Sequence, residues 1–145
     1  MILALPSAPP VGPAGPLSLP ADLAASRLAD AHVLLVEDEV VVAAEIKHAL
    51  EAAGARVTYA RRLERALRRA ESPGLDGAIL DVTLARRVTS VPVAQRLRLL
   101  GVPFVLHSGD LAQADAIVLS LGAPLVPKPA AAHDVLNALA RVMAA

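Results

Sequence analysis

The chain contains no cysteine and no tryptophan, and only one tyrosine and one phenylalanine. Without cysteine there is no disulfide framework, no thiolate metal site and no thiol nucleophile, and the composition fits an intracellular setting. With 55% hydrophobic residues and so few aromatics, the core has to be aliphatic, built from Leu, Val and Ala. A formal net charge of zero and a pI near 6.9 leave no global field drawing the chain to nucleic acid or membrane. No segment approaches the roughly 18 consecutive apolar residues of a membrane span. Met1–Leu5 is apolar, but no basic residue precedes it and Pro6 breaks it, so no signal peptide is expected. The length, 145 residues, suits one domain.

Six of the twelve prolines fall within residues 1–20, among Ala, Gly and Ser. Proline removes backbone donors and fixes φ, so this stretch joins neither sheet nor helix. Residues 1–30 therefore read as a disordered Pro/Ala-rich tail, with Ala21–Asp30 as a short helix leading into a single domain over 31–145.

From Ala31 strands and helices alternate. His32–Val36 is an apolar, β-branched strand ending on Glu37-Asp38-Glu39, and Val40–Ala53 is a helix capped by Gly54. Arg56–Ala60 is a second strand and Arg61–Ala70 a helix. Gly77-Ala78-Ile79-Leu80-Asp81-Val82-Thr83 is a third strand, buried on both faces and closing on a carboxylate. Ser90–Leu100 is a helix, Pro103–Leu106 a strand ending on His107-Ser108-Gly109, and Leu111–Leu121 an apolar helix. Leu125-Val126 is a short fifth strand before Pro127-Lys128-Pro129, and Ala131–Met143 is the last helix. Five βα units with short connections predict a parallel sheet covered by helices on both faces. Right-handed crossovers then bring every strand's C-terminus to one edge, where open α/β sheets bind ligands.

Taken alone, Asp81 reads more readily as a loop residue or helix cap than as a site. The companions at the same edge change that reading: Glu37 and Asp38 from the first strand, Ser108 from the fourth, Lys128 from the fifth. Clustered carboxylates repel and need a cation. Oxygen donors without His or Cys favour a hard ion, Mg²⁺, with Mn²⁺ as a substitute. Lys128 supplies a compact positive charge for a phosphoryl oxygen and Ser108 a hydroxyl donor. Asp81 is then the candidate nucleophile, forming an acyl phosphate.

Val33–Glu39, Ile79–Val82, Val105–Gly109 and Val126–Pro129 together make the chain from about Ala31 onward resemble the receiver domain of two-component response regulators, most closely the stand-alone type. The resemblance implies a flavodoxin-like (βα)₅ doubly wound sheet in strand order 2-1-3-4-5. It implies phosphoryl transfer from the histidine of a sensor kinase, or of a histidine phosphotransferase, to Asp81. It further implies that Asp38 and Asp81 ligate Mg²⁺ directly, that Glu37 acts through water, and that Thr83 lends its backbone carbonyl. Ser108 and Lys128 would contact the phosphoryl group, with a cis bond between Lys128 and Pro129. Such a protein is cytoplasmic and catalyses only its own phosphorylation and dephosphorylation. Its partners are the kinase and a downstream protein, with homodimerisation open and neither nucleic acid nor membrane expected.

Two positions depart from that pattern. Leu125 stands three residues before Lys128, where many receivers carry an aromatic. Ala85-Arg86-Arg87-Val88 replaces the usual Pro and Gly after the acceptor aspartate. Output is expected through the Leu111–Leu121 helix, the Leu125 strand and the last helix.

Two rival readings stay open: a receiver-like binding module that works without phosphorylation, and a phosphatase of the haloacid dehalogenase kind. The latter normally carries a second acid two positions after its nucleophile, where this chain has Thr83. Arg61, Arg62, Arg65, Arg68 and Arg69 read as a solvated helix face rather than a nucleic-acid patch, since no aromatics interleave with them. His32, His48, His107 and His133 are scattered over different elements and read as structural or surface residues.

Overall fold

Buried on both faces, apolar runs such as Leu34–Val36 and Ala78–Leu80 can only sit between two layers of helix. The computed structural model of the chain describes residues 26–144 and has that arrangement. Strands β1 (His32–Val36), β2 (Arg56–Ala60), β3 (Gly77–Asp81), β4 (Phe104–Ser108) and β5 (Leu125–Pro127) form one parallel sheet in the order β2-β1-β3-β4-β5. The interleaved helices are α1 (Val40–Ala52), α2 (Leu63–Ala70), α3 (Val91–Leu99), α4 (Leu111–Leu121) and α5 (Ala132–Ala144). The expected doubly wound, flavodoxin-like order is the observed one.

Alternate residues of each central strand feed two cores, as the two-residue period requires. Val33, Leu35, Ile79 and Val105 pack against Ile46 and Leu50 of α1 and Val135 and Leu139 of α5. Leu34, Val36, Leu80 and Leu106 pack against Ala66 and Ala70 of α2, Val93 and Leu97 of α3, and Leu121 of α4. β1, β3 and β4 are buried almost throughout, while the edge strands β2 and β5 are only partly covered. The aliphatic core expected from the composition is therefore split by the sheet into two layers.

The expected tail and the first half of the expected Ala21–Asp30 helix fall on residues 1–25, outside the described residues. Residues 26–28 are helical, and Leu28 is fully buried in the α1–α5 layer. The Asp30 N–H donates to Gly54 O at 2.9 Å, and Gly54 turns the chain out of α1 at φ 92, a left-handed conformation that glycine adopts without strain. The packed unit thus reaches back to Leu28. Helix α2 begins at Leu63 rather than Arg61, because Arg62 is extended (φ −124, ψ 156) and leads the chain off the sheet edge. β4 runs on to Ser108 because His107 pairs with Asp81 on one side and Ser108 with Pro127 on the other. Among the described residues no helix is long and apolar enough to cross a membrane.

Gly77 opens β3 beneath α5, and a Cβ there would lie 3.0 Å from Leu139 Cδ1 and 3.2 Å from Met143 Sδ. A branched side chain must displace both. Gly77→Val is expected to lower stability by about 1–3 kcal/mol through overpacking, read as a drop in melting temperature. An unchanged melting temperature would mean that α5 does not press on β3 at this point.

Candidate functional site

Two backbone segments deliver the acidic groups. Glu37 directly follows β1 and is clamped there by β2: its N–H donates to Ala60 O at 3.2 Å, and the Tyr59 hydroxyl donates to its carbonyl at 2.8 Å. Asp38 comes next in the turn toward α1, and the Arg61 guanidinium donates to its carbonyl at 3.4 Å. Asp81 closes β3 and is only 4% exposed. One carboxylate oxygen from each of Glu37, Asp38 and Asp81 lies within 4.8 Å of the others.

The cation inside this cluster is Lys128, carried by the segment after β5, where its N–H donates to Ser108 O at 2.8 Å. Its Nζ lies 2.8 Å from Glu39 Oε1, 3.1 Å from Glu37 Oε2 and 3.4 Å from Asp81 Oδ2. Burial works against the charged amine, but the hydrogen bond to Glu39 and the charges of Asp81 and Glu37 outweigh it and hold Lys128 above the usual lysine range. The same contact holds Glu39 below the usual carboxylate range. The Lys128–Pro129 peptide bond is cis, as the resemblance implied.

One ammonium does not balance this many carboxylates. Burial first, and then a proton shared with Glu37 and repulsion from its charge, push Asp81 up to about 8, against the pull of Lys128. Burial and the neighbouring Glu37 both penalise the charged form of Asp81, and a cation held among the acids would offset both. Three hard oxygen donors with no sulfur or nitrogen in the set fit a magnesium-type ion.

These groups open onto a cleft of about 930 Å³ whose lining includes Asp38, Asp81, Thr83, Ser108 and Lys128. Ser108 is buried, and its hydroxyl is engaged with the next loop: it accepts from Asp110 N–H at 3.1 Å and donates to Asp110 O at 3.3 Å. Thr83 forms an isolated antiparallel bridge with Thr89, and the flanking hydrogen bonds, Leu84 N to Val88 O and Ser90 N to Val82 O, close the β3–α3 loop. The residues singled out by their place at strand ends, Glu37, Asp38, Asp81, Ser108 and Lys128, are thus gathered at one sheet edge, and so is Thr83, which the resemblance implied.

Three further groups near the site were not assigned to it from sequence. Glu39, read only as one of three successive acids, is the closest partner of Lys128. His107 lines an adjoining hollow of about 350 Å³ with Val42 and Glu45, which shares Glu39 and Lys128 with the cleft. It is buried with Nδ1 3.9 Å from Glu37 Oε1, and burial, followed by the charge of Lys128, lowers it to about 4, so the ring is neutral at pH 7. Arg86 and Arg87 line the cleft from the β3–α3 loop, where both adopt left-handed backbone (φ 63 and 61) in the stretch that lacks the usual glycine.

No protein-family model matches the chain, and no curated protein matches it. Among solved structures the chain is similar to a response regulator receiver protein from Sinorhizobium medicae WSM419, with 23% identity and a TM-score of 0.71 over 81% of this chain and 98% of that one. It is similar to the non-phosphorylated HemR receiver domain from Leptospira biflexa, with 26% identity and a TM-score of 0.70 over 80% of this chain and 96% of that one. A third similar structure is the receiver domain of a sensor histidine kinase from Pseudomonas aeruginosa PAO1, solved with magnesium in its active-site cleft. There the identity is 25% and the TM-score 0.69, over 81% of this chain and all of that one. The chain has the receiver-domain fold, and the resemblance read from its motifs is matched in three dimensions.

The raised Asp81 carboxyl makes a pH prediction. In the unfolded chain it titrates near 3.8 and in the folded chain near 8. Between these values the folded state binds the extra proton, so Asp81 lowers stability progressively as pH rises through the window. In EDTA, the wild-type melting temperature should fall relative to Asp81→Asn between about pH 5 and 8, by on the order of a few degrees. Millimolar Mg²⁺ should abolish the difference. Parallel curves for the two proteins in EDTA would remove Asp81 as the strained carboxyl.

Proposed function

We propose that the chain is a phosphoacceptor receiver of two-component signalling, taking a phosphoryl group from the histidine of a sensor kinase or phosphotransferase onto Asp81. The observation that carries the reading is the meeting of Asp81, its two acidic neighbours and Lys128 at the C-terminal edge of a receiver-type sheet. Lys128 Nζ is 3.4 Å from Asp81 Oδ2 and 3.1 Å from Glu37 Oε2. The magnesium-containing relative supports the cation assignment.

Asp38 and Asp81 would hold Mg²⁺, with Glu37 acting through water and Thr83 through its carbonyl. The bound ion would neutralise the acids and the oxygens of the incoming phosphoryl group. With the ion held there, the Asp81 proton would pass to solvent, leaving a carboxylate oxygen to attack phosphorus. The new O–P bond forms as the bond from phosphorus to the donor breaks, and the donor leaves with its electron pair. Lys128, held charged by its neighbours, exchanges a carboxylate contact for a phosphoryl oxygen. The Ser108 hydroxyl, turning from Asp110, donates to another. The chain catalyses only its own phosphorylation and dephosphorylation, and its product is a changed surface for a downstream protein.

Incubation with a small phosphodonor and Mg²⁺ followed by intact mass tests this directly. A mass increase of about 80 Da, that of one phosphoryl group, is expected. It should be absent in Asp81→Asn and reduced at least about tenfold in rate in Lys128→Ala. Turnover of a phosphate ester without an adduct would instead indicate a phosphatase, and an unchanged mass would indicate a module that works without phosphorylation.

A further inference from the structure

The cleft accounts for the acidic end of the sheet, but a second surface beside it is strongly basic. Arg61, Arg62, Arg65, Arg68 and Arg69 are all exposed along α2, and exposed Arg86 and Arg87 continue the surface across the β3–α3 loop. Among the described residues, Arg62, Arg65, Arg68, Arg69, Arg86 and Arg87 form no ion pair. Elsewhere two surface cations are paired, Lys47 with Glu51 and Arg96 with Glu71, and the unpaired arginines, such as Arg56 and Arg141, do not cluster on one face. Within α2, Arg65 sits three and four residues from Arg68 and Arg69, so like charges repel along the helix face. Arg86 and Arg87 also hold left-handed backbone, which is unfavourable for any residue but glycine. The fold maintains this face against repulsion and strain with Glu64 as the one carboxylate among its arginines.

Its shape narrows what covers it. Between α2 and the loop is a crevice of about 220 Å³ whose apolar side is formed by Leu63, Leu84, Ala85 and Val88. Its charged rim is Arg61, Arg62 and Arg86, with Glu64 as the single carboxylate. Above α2 it adjoins a hollow of about 420 Å³ bordered by Arg65, Arg68 and the half-buried Tyr59. An apolar floor inside an arginine rim accepts an apolar side chain flanked by carboxylates. Nucleic acid has no use for such a floor and finds no exposed aromatic here on which to stack a base. A membrane needs protruding apolar residues, whereas Leu84 is buried and Val88 is only 38% exposed.

We infer that the arginine face formed by α2 and the Leu84–Val88 loop is a docking surface for an acidic amphipathic protein segment. Its carboxylates sit on the guanidiniums and one apolar side chain fills the crevice. All the basic groups on this face are arginines, whose planar forks grip carboxylates in bidentate fashion. The α2 stretch is about 12 Å long, enough for two turns of a partner helix. This surface does not depend on phosphorylation of Asp81, so it can be tested with the unmodified chain.

The probe is a short helical peptide with one glutamate face and one leucine face, titrated into the full chain at low salt and followed by amide and methyl chemical shifts. The shifts should centre on Leu63, Leu84 and Val88, and binding should weaken as salt is added. Binding should be about tenfold tighter than to an oligoglutamate of equal charge, since one buried leucine contributes on that order. The triple variant Arg62→Gln, Arg65→Gln, Arg86→Gln should lose about tenfold or more while melting no lower than wild type. Arg56→Gln with Arg141→Gln should bind as wild type does. Equal affinity for oligoglutamate, undiminished binding by the triple variant, shifts centred elsewhere, or no binding would each overturn the inference. Tighter binding of a duplex DNA oligonucleotide than of the peptide would overturn it in favour of a nucleic-acid surface.

Discussion

The ammonium of Lys128 lies within 3.4 Å of carboxylates from Glu37, Glu39 and Asp81, and the active edge of the sheet depends on that arrangement. Glu37 and Lys128 are 91 residues apart in sequence and belong to strand ends separated by β3 and β4. Only a completed sheet brings them together. Buried carboxylates with no cation would strongly oppose folding, so the amine is part of what makes the edge tolerable. It does not complete the neutralisation, however: burial first, and then Glu37, push the Asp81 carboxyl up to about 8 against the pull of Lys128. The same imbalance suits the cluster to a divalent ion and a phosphoryl group, each of which changes the local charge by about two units.

The scaffold holding these charges is made almost entirely of Leu, Val, Ile and Ala. Such side chains offer no polar tip, so every polar group in the interior belongs to the edge rather than to the core. Among the described residues the buried polar side chains are Glu37, Asp81, Ser90, His107 and Ser108, all at or beside the C-terminal ends of strands. The separation is sharp: two dry layers divided by the sheet, and one wet rim. At His107 burial favours the neutral imidazole, and the charged form would add a second buried cation beside Lys128.

Much of this was legible because strand ends are punctuated by chemistry. Apolar runs that stop on Glu37, Asp81, Ser108 and Lys128 reveal both the strands and the rim, and the short connections impose the parallel order. What stayed hidden depended on distance in three dimensions. Glu39 and Lys128 are 89 residues apart, and no spacing rule connects a surface-reading glutamate to that lysine. His107 reads as one more strand residue until β1 places Glu37 beside it. Leu28 lies at the border of the proline-rich segment, and composition alone gives no sign that it is buried against α1 and α5. The left-handed turn at Arg86 and Arg87 contradicts local preference, so it comes from tertiary closure of the Thr83–Thr89 bridge rather than from residue type.

How a change at the rim reaches the outer surface can be traced through Ser108. Its hydroxyl makes both an accepting and a donating contact with the Asp110 backbone, and the Asp110 carbonyl also receives the Ala114 N–H at 3.0 Å. A hydroxyl that turned into the cleft would release both contacts at once. The first turn of α4 would then be held by fewer bonds, while its later residues Ile117 and Val118 remained packed on the core. On β5, Leu125 is half-buried against the same cluster and carries no polar group that could swap partners. Under the proposed reading, the response would begin at the start of α4, whose later residues Ile117 and Val118 pack on the core, beside a Leu125 that has no polar group to exchange.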